Sequence, residues 1–193
     1  VSGHSVRLLL LLIAISLVCL GLQFEPFASQ VNWQRYFILE GQWWRILTGN
    51  FTHTNFAHLG MNLAGLWVIS FIFKPSPKAL LFSLIAVSLA IGGLNFLSSM
   101  NGYVGLSGAL HGLFAYFALQ EALNDRKSSW LLVVGVLAKV GWEMTMGASA
   151  STSEIINARV AVESHLFGAL SGLVLAMTVF LLTKKGVLSP TKS

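Results

Sequence analysis

Six stretches of the chain are apolar over a length that suits a bilayer, and polar or turn-forming residues bound each of them. A spanning helix needs about 20 mostly apolar residues. The runs cover Val6–Gln23, Phe56–Phe73, Ala79–Leu97, Ser107–Leu123, Trp130–Met146 and Val162–Thr183. Pro75 and Pro77 break the chain between the second and third, Asn101-Gly102 marks a turn, and Asn124-Asp125-Arg126-Lys127 separates the fourth from the fifth. Gly147–Ala158 is small and polar and reads as a loop. Residues 24–55 have another character: Trp33, Arg35, Tyr36, Glu40, Trp43, Trp44 and Arg45 interleave aromatic rings with charge, which suits a membrane interface. The pattern predicts an all-α membrane protein, a single six-helix bundle over residues 1–193 with a large, partly embedded first loop containing short helices. No internal repeat and no strand is evident. The first run, led by Arg7, has the outline of a signal peptide, but Phe24-Glu25-Pro26-Phe27 offers no small-residue cleavage site, so it is expected to stay as a helix.

Composition strengthens the membrane reading. Of 193 residues, 55% are apolar and 10% charged, where a soluble domain carries about 25% charged residues. Mean hydropathy is +0.74. The net charge of +5 raises nucleic acid as a partner, but the basic residues sit between apolar runs and form no patch. Six spans put both termini on one side, with Arg7, Lys74, Lys78, Arg126, Lys127, Lys184, Lys185 and Lys192; Arg35, Arg45 and Arg159 fall on the other, and Lys139 lies within a span. The positive-inside rule then places both termini in the cytoplasm and the aromatic loop outside it. The one cysteine, Cys19, excludes a disulfide within the chain and reads as a packing residue.

Polar residues inside apolar runs carry the chemistry. The fourth run opens with Gly105-Leu106-Ser107-Gly108, the sixth with Ser164-His165-Leu166-Phe167-Gly168. Both openings lie toward the extracytoplasmic side, so a serine and a histidine share one depth, the minimum for base-assisted nucleophilic attack. Gly168 and Gly172 follow His165 on its own helical face, and Gly108 and Gly112 stand beside Ser107. Small residues at this spacing let membrane helices approach closely, whether or not they frame a site. His58 and Asn62 are four apart, on one face of the second run. With the Ser107 N–H they are candidate oxyanion donors. No acid partner of a triad is evident. Asp125 is on the cytoplasmic side, and of Glu143, Glu154 and Glu163, the last is two residues from His165 and is expected to point elsewhere. A Ser–His dyad is the simpler reading. Lys139 and Glu143, at i and i+4, read as a local ion pair, with substrate gating by the fifth helix as the other option.

Trp44-Arg45, His58-xxx-Asn62, Gly105-x-Ser107-Gly108 and His165-xx-Gly168-xxx-Gly172 occur in the order found in the rhomboid intramembrane proteases, which the chain resembles over residues 44–172. The resemblance implies a Ser107–His165 dyad, an oxyanion hole from His58, Asn62 and Ser107, no cofactor and no metal, and cleavage near the end of a substrate's transmembrane helix. The segments Leu47–Thr54, Gly105–Gly112 and Arg159–His165 are similar to a bacterial subgroup, the rhombosortases. That likeness implies an inner-membrane enzyme whose active site faces the periplasm. Its substrates would be membrane-anchored proteins with a C-terminal Gly-Gly tag, transmembrane helix and basic tail. The alternative is a general rhomboid protease without that preference, and transfer to an amine stands beside hydrolysis. Two positions depart from the family. Ser164 replaces an alanine, and His111 replaces a tyrosine that packs on the histidine. His111, four residues after Ser107, stacks on His165, packs as a neutral group, or acts as the base.

Other classes fit less well. His53, His58, His111 and His165 suggest a metal site, but no His-Glu-x-x-His sequence occurs. A non-cleaving rhomboid relative and a transporter are the remaining rivals. Trp44-Arg45 is expected to anchor the first loop at the interface, and His53 to serve as a hydrogen-bonding loop residue.

Overall fold

Within hydrocarbon each backbone N–H and C=O must find its partner in its own segment or in a closed sheet, so long apolar runs become helices. A computed structural model describes residues 3–188; Lys192, counted above on the cytoplasmic side, lies outside them. The chain opens with α1 (Gly3–Gly21). The first loop follows with α2 (Phe27–Val31), β1 (Trp33–Gln34), α3 (Arg35–Leu39), α4 (Arg45–Thr48) and a 3-10 turn at Gly49–Phe51. Then come α5 (Phe56–Phe73), α6 (Pro77–Leu94) with a 3-10 turn at Asn95–Leu97, β2 (Gly102–Tyr103), α7 (Ser107–Leu123), α8 (Ser129–Met146), α9 (Ala150–Ile156) and α10 (Val162–Lys184). Among the described residues, five helices are long and apolar enough to cross a membrane: α1, α5, α6 with its 3-10 extension, α8 and α10. Their outward side chains stay apolar, as at Leu10, Phe71, Leu131 and Val174, which suits lipid as the surrounding solvent.

Local signals set the ends of these helices. Asn55 caps α5 by accepting from the His58 N–H at 2.8 Å, and Lys74 closes it in the left-handed region with φ +45°. Ser76 caps α6 through the Ala79 N–H at 3.2 Å, with Pro77 in the first turn, where its missing N–H costs nothing. Gly147, at φ +80°, ends α8.

Two expectations need correction. The stretch Gly147–Ala158 is not all loop, because it contains α9, whose Ile156 is buried. The chain also contains a short antiparallel pairing, Trp33 with Tyr103 and Gln34 with Gly102. Two residues per strand are too few to show alternation. They are drawn together by Trp33, fully buried, whose Nε1 donates to the Gly92 carbonyl at 2.9 Å.

The 17-residue α7 stands at the centre, packed by α5, α6, α8 and α10. Its closest neighbour is α10, and glycines make that approach possible. A Cβ on Gly168 would fall 2.0 Å from the Gly108 carbonyl oxygen, and one on Gly172 would fall 2.1 Å from that of Gly112. The two backbones therefore touch where any side chain would part them.

Candidate active site

Ser107 is the first residue of α7, and the segment before it is held from several sides. Arg35 donates to the carbonyls of Met100 at 3.0 Å and Ser98 at 2.6 Å. The buried Tyr103 hydroxyl donates to the Gly105 carbonyl at 2.6 Å. Gly105 itself has φ +117°, and a Cβ there would lie 2.7 Å from His58 Nε2. Only glycine combines that backbone conformation with that closeness.

His165 lies in the first turn of α10, where the glycine contacts bring α10 against α7. Its Nε2 is 2.9 Å from Ser107 Oγ. The Ser107 and His165 that the motifs single out are thus in hydrogen-bond contact. His111 lies over the His165 ring with centroids 4.2 Å apart and planes 19° apart, and its Nδ1 donates to the Ser107 carbonyl at 2.7 Å. Ser164, beside His165, is fully buried and donates to Asn95 Oδ1 at 2.9 Å.

Sequence reasoning missed one contact. Glu143 Oε2 is 2.8 Å from His165 Nδ1, so the expectation that no carboxylate reaches the histidine is corrected. The expected ion pair is present as well, with Lys139 Nζ 2.7 Å from Oε1. A carboxylate has two oxygens, and the lysine occupies one. The i, i+4 spacing explained Glu143 in one dimension and hid the other. The available signal was an acidic residue near the end of a span, on the side where the fourth and sixth runs open. Glu163 pairs with Arg159.

On the opposite wall stand His58 and Asn62 of α5. The Asn62 amide nitrogen is buried with no hydrogen-bond partner among the described residues, and lies 3.5 Å from where a Gly105 Cβ would be. His58 Nδ1 is 3.1 Å from Thr54 Oγ1, whose proton goes to the Ile156 carbonyl at 2.6 Å. The Thr54 N–H also points at Nδ1, from 3.5 Å, so Nδ1 is engaged with Thr54 in either tautomer and Nε2 lies toward Gly105. His53 departs from expectation. It is buried edge-on against His58 with centroids 5.0 Å apart, and neither ring nitrogen has a hydrogen-bond partner among the described residues. Burial, and then the neighbouring His58, push His53 down to about 3, so it is neutral near pH 7.

Arg45 also differs from a lipid-facing anchor. Only 4% exposed, it donates to Gln42 Oε1 and to the carbonyls of Ser29 and Asn32, tying the first loop to itself. Trp44 remains exposed.

A cavity of about 470 Å3 opens onto Ser107, with Thr54, His58, Ile156 and Arg159 in its walls. Among the described residues, His111, Glu143 and His165 bring ligand atoms within 4.8 Å of one another. The two imidazole planes run nearly parallel, so their lone pairs do not converge, and both Nδ1 atoms already have partners. This geometry does not suit a shared ion.

Residues 40–182 match the rhomboid domain family. Three proteins illustrate the likeness. Rhomboid protease GluP of Bacillus subtilis is 30% identical over 137 residues, covering 70% of this chain and 26% of that protein. Putative rhomboid protease YdcA, also of Bacillus subtilis, is 28% identical over 152 residues, 72% of this chain and 68% of its own length. Rhomboid-type serine protease 2 of Emericella nidulans is 26% identical over 144 residues, 72% of this chain and 27% of its own length. The chain thus spans about a quarter of two of these relatives and two thirds of the third. The match covers most of the chain and includes every residue of the serine–histidine cluster, and on that ground the chain belongs to the rhomboid family of intramembrane serine proteases.

Proposed function

We propose that this chain is an intramembrane serine endopeptidase in which Ser107 is the nucleophile and His165 its base. The carrying observation is the 2.9 Å contact between Ser107 Oγ and His165 Nε2 at the mouth of a cavity. In the attack, Nε2 takes the hydroxyl proton as Oγ bonds to the peptide carbonyl carbon. The carbonyl electron pair moves to oxygen, which accepts from the Ser107 N–H and the Asn62 amide. The first N–H groups of a helix have no partner within it, which leaves that of Ser107 free for this use. The imidazolium then returns its proton to the leaving amine as the C–N bond breaks. Water from the cavity completes hydrolysis of the acyl-enzyme. His58, with Nδ1 turned to Thr54, shapes the wall beside Gly105 and contributes less to the oxyanion than Asn62, whose amide nitrogen has no partner among the described residues.

The proposal extends to topology and substrate. Six spans, with α7 as the enclosed one, put both termini in the cytoplasm of a bacterial inner membrane and the serine toward the periplasm, in keeping with the positive-inside rule. The rhombosortase-like segments support substrates with a Gly-Gly tag before a C-terminal transmembrane helix. Glycine weakens a helix, so such a segment unwinds readily into the cavity. The test is cleavage in proteoliposomes of transmembrane peptides with Gly-Gly, or with Leu-Leu, ahead of the helix. Cleavage of the Gly-Gly peptide alone, lost in Ser107→Ala, is the expected result. Equal cleavage of both leaves a rhomboid protease without tag preference, and cleavage by Ser107→Ala ends the assignment.

A further inference from the structure

Ser107 and Glu143 meet the His165 ring at opposite nitrogens. Ser107 Oγ is 2.9 Å from Nε2, and Glu143 Oε2 is 2.8 Å from Nδ1. A carboxylate paired with lysine accepts and does not donate, so the Nδ1 contact requires the proton to sit on Nδ1. Nε2 is then left with its lone pair facing the serine hydroxyl, the arrangement that base catalysis needs. Without a partner at Nδ1, the neutral imidazole is free to hold its proton on either nitrogen.

We infer that Glu143 is a positioning residue that fixes this tautomer and steadies the imidazolium, so that the site works as a Glu143–His165–Ser107 triad. The inference rests on the reading of Ser107 and His165 given above. The elements divide the task. His111 on α7 sets the plane of the His165 ring by stacking on it, and Glu143 on α8 sets which nitrogen is protonated. When Nε2 takes the serine proton, the Nδ1 proton stays where it is, and the new positive charge lies against the carboxylate. The other titratable or charged groups facing His165 are His58 from α5, His111 from α7 and Glu163 from its own helix, while Lys139 of α8 acts on Glu143 and His111.

The ion pair with Lys139 does not account for this contact. The Lys139 side chain is 51% exposed, whereas that of Glu143 is 13% exposed and turned inward. A carboxylate held inside a spanning helix is costly and is kept where it has work to do. One oxygen satisfies the lysine; the second reaches the histidine on a different helix, 22 residues further along the chain.

The experiment compares Glu143→Gln, Glu143→Asp, Lys139→Met and the double variant Glu143→Gln/Lys139→Met with Ser107→Ala and His165→Ala. Each is reconstituted in proteoliposomes. The readouts are kcat and KM on a peptide that the parent cleaves, the rate of labelling by a fluorophosphonate, and Tm. Removing the acid of a Ser–His–acid set costs on the order of 10⁴-fold in kcat, and Glu143→Gln is expected to lose about 10²–10⁴-fold. KM and Tm stay near the parent's values. Labelling slows in parallel, Glu143→Asp recovers part of the loss, and the double variant is as slow as Glu143→Gln. Parental kcat in Glu143→Gln overturns the proposal. So does recovery in the double variant, because the carboxylate would then serve only to neutralise the lysine. A joint loss of Tm and KM without recovery by aspartate also overturns it, as a structural role. If Ser107→Ala and His165→Ala keep turnover, the underlying assignment fails instead; if they lose it while Glu143→Gln does not, only the triad fails.

Discussion

Asn62 keeps a buried amide nitrogen without a partner among the described residues, a state that costs roughly 1–3 kcal/mol. A developing oxyanion would relieve it, which makes the group stronger in the transition state than in the resting enzyme. Asn62→Ala is therefore expected to lower kcat by about 10²–10³-fold, the ~2.7–4 kcal/mol typical of one lost oxyanion donor. His58→Ala should cost less, since its Nδ1 is already engaged with Thr54. Measuring kcat for both on one transmembrane peptide checks the order, and a larger loss at His58 would reverse the assignment. At this scale much of the candidate site was legible in the sequence. Ser107, His165, Asn62 and His58 stand out because burying a polar group in an apolar helix needs a reason. Glu143 was not legible as a histidine partner, because Lys139 four residues earlier already supplied one. The neutral, unpartnered state of His53 was hidden too, since a sequence carries no record of how a loop folds inward.

Among the elements, the contact between α7 and α10 decides whether the serine and histidine meet. Gly108 and Gly168 bring the two backbones together next to Ser107 and His165. Adding a methyl group at Gly168 places carbon 2.0 Å from the Gly108 oxygen. The helices must move apart, and overpacking of this kind costs ~1–3 kcal/mol. A shift of about 1 Å between reacting groups can slow a reaction by ~10²-fold. Gly168→Ala is expected to lower Tm and to slow fluorophosphonate labelling at least about tenfold. Gly93→Ala is the control, because nothing lies within 4 Å of its added carbon. Parental Tm and labelling in Gly168→Ala would mean that the helices have room to spare. Glycine spacing showed in advance which helix faces could approach. The strand pairing at Trp33 and Tyr103 did not show, because two paired residues make no periodic pattern. Nor did α9, which a run of small polar residues disguised.

The whole molecule is a helical bundle with an apolar exterior and a polar recess at one end. The apolar exterior was readable from composition and run length, and the recess only in part: His58 and Ser107 stand among the polar residues that open their spans, whereas the walls at Met100, Tyr103, Ile156 and Val160 come from segments between the long helices, where no periodic pattern marks them. Fold and site together make one claim, that two side chains from separate helices form a working nucleophile and base inside a membrane protein. Its most direct test is intact-protein and peptide mass spectrometry after exposure to a fluorophosphonate. A single adduct on Ser107 in the parent, absent from Ser107→Ala and suppressed in His165→Ala, is the predicted result. Labelling of another residue, or undiminished labelling after His165→Ala, would contradict it.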